Sequence, residues 1–106
     1  MNTSFVKAGT VKDFPKNQTK EVVIDGNSIC VANDNGCLTA FNNTCTHAAA
    51  QLSDCDIHEG QITCPLHGAR FDVQSGAAKR LPATEPLKMN EVKVEGQDVF
   101  IKLNEE

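Results

Sequence analysis

Two short pairs of soft ligands, Cys45-Thr46-His47 and Cys64-Pro65-Leu66-His67, constrain this chain more than any other feature. Each pair, C-x-H or C-x-x-H, can offer both side chains from one tight loop, and sixteen residues (48–63) separate the two. A fold that uses both must bring two loops together around metal. In an ordinary zinc finger, two cysteines share one loop and two histidines the other. Here each loop carries one of each kind. That mixture suits a dinuclear centre, with both thiolates on one metal ion and both imidazoles on the other.

The rest of the chain has to hold those loops. Its 106 residues allow one domain with a modest core. A composition of 40% hydrophobic and 23% charged residues is that of an ordinary globular protein. No apolar run approaches the roughly 20 residues needed to span a bilayer. The opening stretch, MNTSFVKAGTVKDFPK, lacks the apolar segment of a secretory signal, so a cytoplasmic protein is expected. A net charge of −4 argues against nucleic acid as a partner, because phosphate binding needs clustered Lys and Arg. The scattered acidic residues serve solubility, or steer the chain towards a partner with a basic docking patch. Five cysteines, an odd number with no sign of export, favour metal ligation over a disulfide framework.

The pattern outside the Cys/His stretch is one of short strands and turns, with no long amphipathic helix. Asn35-Gly36 lies between the apolar runs Ile29–Ala32 and Cys37–Phe41, and both turn residues tolerate positive φ, so a tight hairpin is expected. Near the C-terminus, Val92 and Val94 alternate with charges, the chain turns over Glu95–Asp98, and Val99, Ile101 and Leu103 alternate again. That is a second antiparallel hairpin with one face in the core. The segment between the hairpins is rich in Ala, Gly, Asp and Gln and lacks regular periodicity. The expected architecture is a single all-β domain over residues 1–106. A scaffold from residues 1–42 and 84–106 carries a loop-built insert at about 43–83.

Cys30 and Cys37, in the first hairpin, are expected to be buried small hydrophobes. Cys55 and His58 fall between the two pairs and are expected to be bystanders, because four ligands already complete a site.

The sequence CTH followed by CPLHGARFDVQSG resembles the Rieske [2Fe–2S] signature, C-x-H…C-x-x-H-G, with Gly68, Phe71, Asp72 and Gly76 following the second pair. The likeness extends over essentially the whole chain, towards the ferredoxin components of bacterial aromatic-ring-hydroxylating dioxygenase systems. It implies a Rieske-like antiparallel β-sandwich or barrel with a loop-rich cluster-binding subdomain. It also implies one [2Fe–2S] cluster, with Cys45 and Cys64 on one iron and His47 and His67 on the other. The histidines would lie at the tip of the protein, where an electron can leave without a partner reaching into a core. Gly68 would be either a simple turn residue or a point of close backbone approach to the cluster. Either Pro82 or Pro86 would stiffen a loop over the cluster.

Charge counting says what this ligand set does. Two ferric ions, two sulfides and two thiolates sum to zero, and reduction takes the centre to −1; four thiolates would run it from −2 to −3. Histidine ligation therefore raises the potential, into a range of about −150 to +300 mV. In high-potential relatives each loop carries a further cysteine, joined as a disulfide, and Ser and Tyr hydroxyls donate to sulfur. This chain has Ala50, Leu66, Ala69 and Phe71 at those positions. Without those donors to stabilise the reduced state, the resemblance implies a potential near the bottom of the range. Ligand imidazole deprotonation should couple to reduction only well above neutral pH.

The leading function is a one-electron carrier between an NAD(P)H-dependent flavoprotein reductase and the terminal oxygenase of such a system. It would be a monomer, and not itself an enzyme, since no second site of two His and a carboxylate is present for oxygen chemistry. Two alternatives are a Rieske-like small subunit of a nitrite reductase and a zinc-binding interaction module.

Overall fold

Asn35 and Gly36 turn a hairpin. In the computed structural model, which describes residues 4–43, 52–53, 55–64, 68–80 and 86–104, strands β3 (Asn27–Asp34) and β4 (Cys37–Asn42) are antiparallel. Asp34 stands opposite Cys37, so the connection is the two residues alone, at φ 52° and 99°. Positive φ at both positions matches the right-handed twist of the strands. Asp25-Gly26 repeats the device between β2 (Gln18–Ile24) and β3, at φ 51° and 82°. The expected C-terminal hairpin forms from β9 (Met89–Glu95) and β10 (Asp98–Lys102), with Glu95 opposite Asp98.

With β1 (Val6–Thr10), these strands make a six-stranded antiparallel sheet in the order β1-β10-β9-β4-β3-β2. Its two edges, β1 and β2, approach one another, so the sheet is nearly closed. Among the described residues the only helical element is one 3-10 turn at Val11–Asp13.

The insert is more regular than its composition suggests. Strands β5 (Ile57–His58), β6 (Gln61–Thr63), β7 (Arg70–Asp72) and β8 (Ala78–Arg80) form a second antiparallel sheet in chain order. It packs on the outside of β3 and β4, which explains an unusual feature of β3. Ile29 and Val31 point into the nearly closed sheet, beside Phe14, Ile24, Ala40, Val99 and Ile101. Cys30 and Ala32 point the other way, joining Phe41 in a cluster with Leu52, Ile57, Ile62, Cys64, Phe71 and Val73 of the insert. A strand covered on both faces reads as a continuous apolar run rather than an alternating one. Phe41 and Phe71 are wholly buried at this junction, each contributing about 1.5–3 kcal/mol of apolar burial.

Two side chains depart from expectation. Cys30 is buried, but Cys37 is exposed, and its Sγ–H donates to Gln74 Oε1 at 3.4 Å. Cys37 is the first residue after the turn, beyond the reach of the insert's core. Val94 is 47% exposed although Val99, opposite it, is buried. Strand β4 flanks β9 only as far as Asn90, so Val94 projects past the core.

Candidate metal centre

Cys64 immediately follows β6 and is buried, 1% exposed. Its backbone N–H donates to the Ala69 carbonyl at 2.7 Å, carrying the β6–β7 ladder one step past Thr63 and Arg70. Residues 64 and 69, which flank His67 in the sequence, are thus paired. Gly68, at φ 71°, takes the left-handed conformation that a turn at this point requires. Cys45, His47 and His67 lie outside the described residues.

The residues flanking the other pair are bonded as well. Leu52 N–H donates to the backbone carbonyl of Asn43 at 2.9 Å and to Asn43 Oδ1 at 3.0 Å. Ser53 N–H reaches the same Oδ1 at 2.8 Å. Asn43 Nδ2 donates to Ser28 Oγ at 3.0 Å and to Ser53 Oγ at 3.1 Å. Asn43 and Leu52, which flank positions 44–51 in the sequence, are therefore bonded to one another, and Cys45 and His47 fall between them in the chain. Leu52 and Cys64 belong to one buried cluster, so the bases of both loops stand on the same core.

Further bonds fix the insert to the scaffold. Thr19 Oγ1 donates to the Cys55 carbonyl at 2.8 Å and Thr39 Oγ1 to the Val73 carbonyl at 2.7 Å. Ile57 N–H donates to Asn17 O at 3.1 Å, and Leu87 N–H to Gly76 O at 2.7 Å. Asn43, Thr19 and Thr39 escaped the sequence reading. Asn42-Asn43-Thr44 after an apolar run signals only the end of a strand, and a threonine within a strand signals nothing about its partner.

Asp72 shapes the turn after β7. Its Oδ1 accepts from Gln74 N–H at 2.8 Å and Ser75 N–H at 3.0 Å. The Ser75 amide foremost, with help from the Gln74 amide and Lys79, holds this carboxyl below the usual range against a smaller opposing effect of burial. Of the two prolines, one or other of which is expected from sequence to stiffen a loop over the cluster, Pro86 is exposed just before the buried Leu87, and Pro82 lies outside the described residues.

The remaining Cys and His residues are scattered. Cys55 is half-buried against the core cluster that contains Cys64. His58 is 88% exposed beside Glu59, at 3.3 Å. Among the described residues, no three His, Cys, Asp or Glu side chains gather into a metal-binding group.

The surroundings suit the cluster that the sequence resemblance implies. The buried polar residues described are Thr19, Asn33 and Asn43, none of them charged. An uncharged core of this kind fits a group that two thiolates bring to zero net charge. It would fit a doubly negative one poorly, since an uncompensated buried charge is costly. Cys64 supplies one soft donor shielded from water at the mouth of one loop.

Comparison with known proteins agrees. Residues 4–94 match the Rieske [2Fe–2S] domain. The ferredoxin component of a naphthalene 1,2-dioxygenase system from Pseudomonas aeruginosa is 36% identical over 104 residues, 98% of this chain and all of that protein. The ferredoxin component of a 2,4-dinitrotoluene dioxygenase system from a Burkholderia strain is 34% identical, again over 98% of this chain and all of its own. Among solved structures, the ferredoxin of carbazole 1,9a-dioxygenase from Nocardioides aromaticivorans superposes with a TM-score of 0.88 at 31% identity. That match covers 95% of this chain and 99% of that one. A chain from a complex of reduced oxygenase and oxidized ferredoxin in carbazole 1,9a-dioxygenase scores 0.88 at 29% identity, over 95% and 94%. Of the three functions weighed from sequence, these findings carry the electron carrier, not the zinc module or the nitrite reductase subunit. The chain belongs to the Rieske [2Fe–2S] family: it is a ferredoxin with one such cluster, an electron carrier of the kind that serves aromatic-ring dioxygenases.

Proposed function

We propose that Cys45 and Cys64 bind one iron of the cluster and His47 and His67 the other, and that the carrier runs between an NAD(P)H-dependent flavoprotein reductase and a terminal oxygenase. One observation supports the ligand set above others: Cys64 is buried at the base of one pinched loop, on the same core as the base of the other. The bound cluster supplies a site that takes up and releases a single electron.

The protein's own residues do the rest. Cys64 and Ala69 fix the two ends of the segment on which His67 lies in the sequence. Asn43, Leu52 and Ser53 do the same for Cys45 and His47. Phe41, Phe71 and Ile62 keep water from the buried side, leaving the loop side for the exchange. The oxygenase as acceptor draws support from the related ferredoxin described in complex with one. A reductase using NAD(P)H would place the carrier in the cytoplasm, as a monomer that shuttles between two docking partners. No helix among the described residues is long and apolar enough to cross a membrane.

The test is chemical analysis of anaerobically purified variants. Wild type should carry two irons and two acid-labile sulfides per chain, with a reduced-state EPR signal of mean g well below 2. Cys45→Ser and His67→Ala should lose that signal, and Cys30→Ala should keep it. A colourless Cys30→Ala protein that still folds would show the ligand assignment to be wrong.

A further inference from the structure

We infer that Asn43 is a positioning residue for the cluster: its side-chain amide is the clip that ties Asn43 to Leu52 and Ser53, the residues on either side of positions 44–51, and cluster retention depends on that clip beyond its share in stability. The inference rests on the ligand set proposed above, because Cys45 and His47 fall at those positions.

The clip is complete in its chemistry. Asn43 is 1% exposed, and every hydrogen-bonding site of its side chain is used. Oδ1 accepts two backbone N–H groups, of Leu52 and Ser53, on the returning arm of the loop. Nδ2 donates to two hydroxyls, Ser53 on that same arm and Ser28 on β3 of the scaffold. The amide therefore bonds the returning arm three times and the scaffold once. The backbone joins in, since Asn43 N–H donates to Ser28 O at 3.2 Å.

The direction of these bonds is fixed from outside. Ser28 Oγ–H donates to the Glu21 carboxylate on β2, so Ser28 has only lone pairs to offer Asn43. Nδ2 must face Ser28, and Oδ1 must then face the two amides. Reversing the amide would set donor against donor at Leu52 and Ser53. A chain of bonds thus runs from an exposed carboxylate, through Ser28 and Asn43, to the arm that re-enters the core beside the ligand loop.

Loss of this amide takes the side-chain acceptor from the buried Leu52 N–H and the part-buried Ser53 N–H, leaving the Leu52 N–H to Asn43 O backbone bond as the one direct tie between the two ends. Asn33 supplies a matched control. It is also buried, 8% exposed, and its amide bonds Phe14 O and Gly36 N–H, wholly within the scaffold and away from either ligand loop. Asn43→Ala and Asn33→Ala thus delete the same group at similar burial.

The experiment compares the two variants as cluster-bound protein, anaerobically, at temperatures equally far below each one's melting midpoint. A ferrous chelator is added, and bleaching of visible absorbance gives the rate of cluster loss. EPR of the reduced samples is recorded alongside. Asn43→Ala should bleach about tenfold faster than wild type, the factor that one net hydrogen bond represents, and should show a broadened EPR signal. Asn33→Ala should bleach at the wild-type rate with unchanged EPR. Equal bleaching of the two alanine variants, or an unchanged Asn43→Ala, overturns the proposal. Cys45→Ser, run beside them, separates the causes of failure. If it keeps the native signal, the ligand set is wrong and the proposal falls with it. If it bleaches while Asn43→Ala does not, the clip alone is refuted.

Discussion

Gly76→Ala tests how rigidly the insert is seated on the scaffold, and its cost divides into two parts. Gly76 sits at φ 79°, a left-handed conformation that costs an ordinary residue about 1–2 kcal/mol. A Cβ there would also lie 2.9 Å from Met89 Sδ and 3.0 Å from the Leu87 carbonyl oxygen. The thioether can swing aside. The carbonyl is less free, because Leu87 N–H is bonded to Gly76 O at 2.7 Å and Lys88 O accepts from Asn42 N–H at 2.9 Å. Gly96, in the turn between β9 and β10, supplies the reference: φ 60°, with no heavy atom of the described residues within 4 Å of an added Cβ. Its alanine variant meets the conformational cost alone, about 1 kcal/mol, whereas Gly76→Ala adds about 2 kcal/mol of overpacking. For a chain of this length, those costs lower the melting midpoint by about 5 °C and about 15 °C respectively. The assay is far-UV circular dichroism on anaerobic cluster-bound protein at one scan rate. Equal midpoints for the two variants would refute the reasoning, since the Leu87–Met89 segment would then be yielding without cost.

Other consequences can be checked on the same material. Asp72 has a folded-state pKa depressed below its unfolded value, so its contribution to stability is present above the unfolded value and lost as pH falls through the folded one. Wild type should therefore lose stability below about pH 4, and Asp72→Asn, which keeps an acceptor but no charge, should follow a flatter acid-unfolding curve. Asp72→Ala should cost about 1 kcal/mol by urea titration at neutral pH, because two amides lose their acceptor at a partly solvated turn. The midpoint potential should fall near the low end of the range of about −150 to +300 mV, and Ala69→Ser, which offers a hydroxyl beside Cys64, should raise it. A wild-type midpoint several hundred millivolts above that end would remove the argument from absent hydroxyls. Cys37, exposed in the folded protein, should alkylate with iodoacetamide while the visible spectrum stays intact, and bleaching in step with its modification would count against a bystander role.

Several features were legible in the sequence because they rest on local chemistry. Asn35-Gly36 and Glu95–Asp98 specify hairpins by the backbone angles they tolerate, whatever surrounds them. The proposed ligand pairs stand out in the sequence for a related reason, since metal chemistry needs particular atoms at short spacing. What was missed depends on distant packing. Strands β5 to β8 are two or three residues long, too short to display a period of two. Ile57, Ile62 and Phe71 declare themselves as one face only when the sheet is formed. Cys30 and Cys37 look alike in sequence, each in an apolar run, yet only Cys30 lies under the insert.

The same distinction separates the proposed ligands from what holds them. A ligand is recognised by its donor atom, which few residue types can offer. A positioning residue such as Asn43 is recognised by its partners, which lie ten residues ahead at Ser53 and fifteen behind at Ser28. Asparagine before a loop is commonplace, and nothing nearby in the chain marks this one out. Its role follows from a cost that only the fold imposes: a ligand loop must leave an uncharged core and return to it with its polar backbone groups satisfied. At the second loop the Cys64–Ala69 backbone bond meets that requirement, because a strand pair continues into the loop. At the first loop the Leu52 N–H to Asn43 O backbone bond joins the two ends in the same way, and because no strand among the described residues follows Leu52 until Ile57 to extend that pairing, the Asn43 side chain adds the further ties.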